Sequence, residues 1–201
     1  MIGFHSDKPA DRQCRDNFIA VFPLTNPDVR LTDDEGTFLS LLVRLEPATA
    51  YQLSKVYIDS PVSNFGTSKG KIYPLIRRLK EHGLVESSLV QDDGRGSEQL
   101  SATSRGRDAV RRWVMDIRAS HLLLEDPLRT KVQSFELLSG EERRAWIAHA
   151  RTALRAKLAE VESYGAEVTV PYKELVHDNA IGSLRVRLEW LDRLEAAVSR
   201  D

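Results

Sequence analysis

Ser68-Lys-Gly-Lys-Ile-Tyr-Pro-Leu-Ile-Arg-Arg-Leu-Lys-Glu-His-Gly83 is the stretch that decides how this chain is read. At a helical period of about 3.6 residues, Ile72, Leu75, Ile76 and Leu79 fall on one side, and Tyr73, Pro74 and Arg77 lie farthest from them. One face packs and the other is presented. From Lys69 to Lys80 the basic residues are Lys69, Lys71, Arg77, Arg78 and Lys80, with no acid among them. Such a helix suits the major groove of DNA, which is wide enough to admit it and whose phosphate edges reward Lys and Arg. A basic face also fits a plain solvated surface, so the flanking sequence has to decide.

Directly after Gly83 come Leu84 to Val90, a turn Gln91-Asp92-Asp93-Gly94-Arg95-Gly96, a second short strand near Glu98 to Ala102, and Thr103-Ser104-Arg105-Gly106 opening a helix. Helix, hairpin with an Arg-bearing turn, helix is the order of a winged helix.

The run Gly70-x-Ile72-Tyr73-Pro74-Leu75, with Leu79, Gly83-Leu84-Val85, Gly94-Arg95 and Thr103-x-x-Gly106 ahead of Trp113, resembles the DNA-binding domain of the PadR family of bacterial transcriptional regulators. The resemblance covers residues 31 to about 118. It implies a dimer formed largely by C-terminal helices, which places two winged helices on a two-fold DNA site, and a repressor more than an activator. This sequence departs from the family at Leu100, where the family usually carries Tyr, and at Ser97-Glu98-Gln99, which replaces basic residues of the wing.

The composition bounds the rest. A chain of 201 residues, 41% apolar and 29% charged, has the length and balance of an ordinary globular protein of one or two small domains. Its 29 basic and 30 acidic side chains nearly cancel, so polyanion binding has to come from local patches. Cys14 is the single cysteine and has no disulfide partner within the chain. No stretch reads as a signal peptide or as an apolar run long enough to span a bilayer, and the expectation is a cytoplasmic protein with no membrane partner.

Residues 1 to 30 form an N-terminal extension in which Asp16 to Leu24 reads as a strand or as a short helix stopping before Pro23. Thr32 with Glu35 three residues later is a capping box, opening a helix whose buried face is Phe38, Leu39, Leu42, Val43 and Leu45. A second helix from about Thr49 carries Tyr51, Leu53, Val56 and Tyr57 and ends before Pro61. Pro74 lacks an amide donor and opposes the carbonyl four residues back, so regular helix is expected only from near Gly70, or with a distorted first turn.

The candidate DNA contacts are Lys69, Lys71, Tyr73, Pro74, Arg77, Arg78 and Arg95. Lys69 and Lys71 add to the positive end of the helix dipole and suit phosphate. Arg77 is placed best for a base edge, Arg78 and Lys80 on the flanks for backbone phosphates or water, and Tyr73 for a phosphate or for propping the helix. Arg95 stands between two glycines on the wing, with Asp92 and Asp93 opposing its approach.

Enzymatic chemistry has no visible residues to stand on. Gly66 to Ile72 brushes against a phosphate-binding loop, but its glycines are one residue too close and Ile72 replaces the magnesium-holding hydroxyl. The histidines at 5, 82, 121, 149 and 177 lack the paired spacing of a metal site, and neither a nucleophile elbow nor a dinucleotide fingerprint occurs. No cofactor and no metal are expected.

From Thr103 the pattern is helical. Val110, Trp113, Val114 and Ile117 make one face of the first of these helices. Asp126 and Pro127 open a helix to about Leu138 that presents Leu128, Val132, Phe135 and Leu138, and Ser139 with Glu142 opens a long one running to Gly165. The last helix, Tyr172 to Ser199, carries Ile181, Leu184, Leu188, Leu191, Leu194 and Val198 as a narrow stripe. Helices with such thin apolar seams point to pairing across two subunits, with a bundle inside one chain as the other possibility. Trp146, Tyr164 and Trp190 are candidates for an effector pocket or for core.

The expected architecture is mainly α with a small β-hairpin: an N-terminal extension (1–30), a winged helix-turn-helix domain (31–120) and a C-terminal helical dimerisation domain (121–201). The expected function is a sequence-specific, homodimeric regulator of transcription on palindromic double-stranded DNA, a repressor released by a small-molecule or other effector. The competing reading is a winged-helix protein-assembly module that does not use its basic helix on DNA.

Overall fold

The computed structural model of the protein describes residues 29–62, 69–90, 97–165 and 170–200. Cys14 and the apolar run before Pro23 lie outside the described residues, as does the wing turn bearing Arg95.

Helix α1 (Asp33–Leu45) begins where the capping box places it: the Glu35 amide donates to Thr32 Oγ1 at 3.3 Å and the Thr32 amide to Glu35 Oε2 at 2.8 Å. Because α2, α4 and β3 all pack on it, its buried arc takes in Leu41, while Leu45 at the last residue is 41% exposed and outside the expected core. Strand β1 (Ala48–Thr49) follows, and Thr49 then caps α2 (Ala50–Asp59) through a second capping box with Gln52. Leu53 and Tyr57, one turn apart, face inward; Tyr51, two residues before Leu53, is thrown to the opposite side and left exposed.

Helix α3 (Lys69–Glu81) is continuous through Pro74 and starts at Lys69, one residue before the expected position. Its stripe of Ile72, Ile76 and Leu79 is buried. The helix stops at Gly83, whose φ of 66° only glycine adopts cheaply, with the Leu84 amide donating to the Leu79 carbonyl and the Gly83 amide to that of Lys80. Leu79 and Leu84, the apolar pair of this stop signal, are both fully buried.

Strands β2 (Val85–Val90) and β3 (Ser97–Ala102) form the antiparallel hairpin, in register from Val85 opposite Ala102 to Val90 opposite Ser97. Strand β1 adds to the far edge of β3, with Ala48 opposite Leu100, so the sheet order is β1-β3-β2. A two-residue strand carries no periodicity, which is why the sequence reading yields only the hairpin. Leu100 is a core residue at 1% exposure.

Helix α4 (Ser104–Met115) is capped by Thr103. Gly106 and Ala109 are buried, with Val110 and Trp113 packed partly against the core. Val114 lies a third of a turn off that face and Ile117 lies past the helix end, and both are exposed where the sequence pattern has them buried. Gly36 of α1 leaves the space filled by the Trp113 ring, which a Cβ there would overlap.

Beyond a 3-10 turn (Ala119–Leu122), α5 (Pro127–Val132) opens on Asp126 and Pro127 as expected but ends at Val132, and a 3-10 turn (Phe135–Leu137) takes the rest of the expected helix. Ser134, with φ −112° and ψ 19°, breaks the helical run. Helix α6 (Gly140–Tyr164) carries the Ser139–Glu142 capping box and packs along α7 (Lys173–Val198). Arg151 pairs with Asp192 and Glu195, and Arg185 with Glu162, contacts that run in opposite chain directions and make the pair an antiparallel hairpin. Ile147, Leu154 and Val161, seven residues apart, are its buried seam on α6, and Ile181 and Leu191 on α7.

Candidate nucleic-acid interface

A presented helix needs its back buried and its flanks held. For α3 the back is the Ile72, Ile76, Leu79 stripe. The flanks are held by two ion pairs, one on each side. Arg78 donates from Nε to Glu35 Oε1 at 2.7 Å, tying α3 to the first turn of α1. Lys80 is ion-paired with Glu98, tying the other flank to β3.

Glu35 is 3% exposed, an unusual place for an acid. Burial pushes its carboxyl up, but donors from the Thr32 amide, the Thr32 hydroxyl and Arg78 together hold it below the ordinary carboxylate range. Glu98 is also held low, first by the hydrogen bond from Lys80 and then by one from Ser87.

Between the clamped flanks, Lys71, Tyr73, Pro74 and Arg77 are exposed. Tyr73 is 59% exposed, so it does not prop the helix against a buried neighbour. Arg77 lies near Glu81 one turn on, 3.7 Å apart with both side chains open to solvent, a contact too exposed to fix it. Lys69 is the first residue of α3, with its side chain outside the described part, and Arg95 is outside it altogether. The structure therefore brings Lys71, Tyr73, Pro74 and Arg77 onto one open surface; Arg78 is also exposed, its side chain at 53%, but its guanidinium is paired with Glu35 on α1.

Besides the Lys80–Glu98 pair, the end of α3 is joined to the cap of α4. Thr103 donates its hydroxyl to the Gly83 carbonyl at 2.8 Å, and its amide to that of Leu84 at 3.1 Å. Gly106 sits so close to the Leu84 carbonyl that a Cβ would overlap it. Gly-Leu-Val and Thr-x-x-Gly are thus the two halves of one contact, which fixes the spacing between helix α3 and helix α4.

Behind this unit, the segment after α4 folds back onto the start of α1. Arg118 donates to the Leu31 carbonyl at 3.0 Å and to Asp116 at 2.9 Å, and Asp33 receives Trp113 Nε1 at 3.2 Å beside His121. Asp33 is held low chiefly by the Trp113 bond, and Asp116 chiefly by Arg118.

The stripe expected to meet a second subunit is divided. Ile181 and Leu191 are already buried within one chain, on a helix whose neighbour is α6, while Leu184, Leu188, Leu194 and Val198 stay half-buried. Trp146 packs edge-on against Phe135 with ring centres 5.1 Å apart, so this member of the proposed effector trio serves as packing. Among the described residues, no helix is long and apolar enough to cross a membrane, and no group of His, Cys, Asp and Glu could hold a metal ion.

Glu35 was legible as a cap and missed as a partner of the presented helix. The signal was there: Glu35, Phe38, Leu39 and Leu42 share one helical stripe, and an acid on a buried stripe calls for a cation.

No family model matches the chain, and no curated protein matches it either. Solved structures do. A Bacillus subtilis PadR crystal structure in complex with operator DNA superposes with a TM-score of 0.70 at 18% identity, over 82% of this chain and 98% of that one. The same protein in complex with p-coumaric acid gives 0.68 at 16% identity, over 82% and 98%. A PadR-like transcriptional regulator from Bacillus cereus, BC1756, gives 0.66 at 19%, over 84% and 97%. At these identities the likeness is one of fold.

Proposed function

We propose that this chain, which has the fold of the PadR regulators, is a sequence-specific DNA-binding regulator of transcription acting as a homodimer in the cytoplasm. The observation that carries the proposal is the α3 surface: Lys71, Tyr73, Pro74 and Arg77 stand open on a helix whose back is buried and whose flanks are clamped to α1 and β3. Rigid support of that kind is what base reading requires. Arg77 reads base edges in the major groove, Lys69 and Lys71 anchor phosphates at the helix start, Tyr73 and Pro74 make the close approach, and Arg95 meets the backbone from the wing.

Residues 31–120 are the reading unit and 121–201 the pairing unit. The half-buried members of the α7 stripe, Leu184, Leu188, Leu194 and Val198, meet a second copy, while Ile181 and Leu191 hold the hairpin that presents them. Two reading units on a two-fold axis match a palindromic operator. Binding represses transcription, and an effector that prefers a different separation of the two units releases it. A structural neighbour that holds operator DNA in one crystal and p-coumaric acid in another supports both halves of this cycle. The protein is no enzyme in this reading.

Selection of bound duplexes from a random pool tests it. Enrichment of a palindrome, with affinity falling steeply as salt rises, is the expected result. Recovery of no motif by an intact dimer, with and without phenolic acids as trial effectors, would favour a protein-assembly module instead.

A further inference from the structure

The cations of α3 are not equivalent once their partners are counted. Arg78 is held by a carboxylate that is itself 3% exposed, and among the described residues that carboxylate has only Thr32 as its other donor residue. Moving Arg78 onto a phosphate would leave Glu35 charged and buried with too few donors, a costly state. Lys71 has no carboxylate partner among the described residues, and Arg77 has only the long, exposed contact with Glu81.

We propose that Glu35 is a positioning residue which fixes Arg78 and cancels its charge, so that α3 meets DNA with Lys71 and Arg77 and uses Arg78 to seat the helix on α1. This rests on the DNA-binding reading above for its DNA half and on the geometry alone for its seating half. A paired Arg adds almost nothing to the counterions displaced from DNA, whereas an unpaired one adds about 0.9 to the salt slope for each phosphate neutralised.

Glu35→Gln isolates the effect. The amide keeps the capping box, as Gln52 does for Thr49 at the start of α2 in this same chain, but it no longer neutralises Arg78. On the duplex selected from the random pool, Glu35→Gln should steepen the salt slope by about one and tighten binding several-fold at low salt. Lys71→Gln should flatten the slope by about one, and Arg78→Gln by much less. Arg78→Gln leaves Glu35 without its cation and should lower the unfolding midpoint; the double variant Glu35→Gln/Arg78→Gln should recover most of that loss and serves if the single one does not fold.

An unchanged slope in Glu35→Gln, or an Arg78→Gln slope as flat as that of Lys71→Gln, overturns the proposal. So does the absence of coupling between the two positions in the unfolding cycle. If the wild type selects no duplex but the coupling is present, the seating role stands and the regulator reading falls.

Discussion

Thr103 Oγ1 donates to the Gly83 carbonyl at 2.8 Å and accepts from the Gly106 amide at 3.0 Å, so one hydroxyl closes the end of the presented helix onto the start of the next. Two bonds of different kinds depend on it. Thr103→Ala should cost about 2 kcal/mol, roughly 1 for the cap and roughly 1 for the bond to Gly83, and Thr103→Ser should recover most of it. Gly106→Ala forces a Cβ into the Leu84 carbonyl and should cost about 1–3 kcal/mol by overpacking. Urea unfolding of the three variants checks this.

The buried carboxylate sets a pH dependence. Glu35 has its folded-state value lowered from an ordinary 4.5, so its contribution is fully present above about that pH and is lost as pH falls through the lower folded value. Asp33, exposed, and Asp116, half-buried, are also lowered and add in the same direction. The gap in unfolding temperature between wild type and Glu35→Gln should be widest near neutral pH and close as pH drops below 4.5. A gap that is constant from neutral to strongly acid pH contradicts this account of Glu35.

On the long hairpin, Leu191 is fully buried and Val186 is 60% exposed. Leu191→Ala should destabilise the chain by about 2–5 kcal/mol, and Val186→Ala by no more than about 0.5 in a surface context. Circular dichroism paired with sedimentation separates the roles. A Leu191→Ala protein that dissociates without loss of stability would move Leu191 to the interface between subunits.

Helices were legible wherever a cap and a stripe agreed: Thr32 with Glu35 before Phe38 and Leu39, Ser139 with Glu142 before Trp146, Asp126 with Pro127. Failures came at the ends of stripes. Leu45, Tyr51, Val114 and Ile117 are apolar by type yet exposed, because periodicity gives the face of a helix and not where its neighbours stop. The candidate site was legible as a face, through the basic run around Tyr73 and Pro74, but not as a set of pairs. Arg78 and Arg77 are adjacent in sequence and equal in charge. Only the fold, by placing Glu35 under one of them, separates them.

DNA binding by the open surface of α3 is what the regulator reading stands on. Its most direct test is the affinity of the Lys71→Gln/Arg77→Gln double variant for the selected duplex across a range of salt, with thermal unfolding measured alongside. Loss of a phosphate anchor and of the base-reading cation should weaken binding strongly and flatten the salt slope by about 0.9 for the phosphate that Lys71 neutralises, with the unfolding temperature unchanged. Equal affinity and slope in a folded, dimeric variant would mean that this surface does not bind DNA.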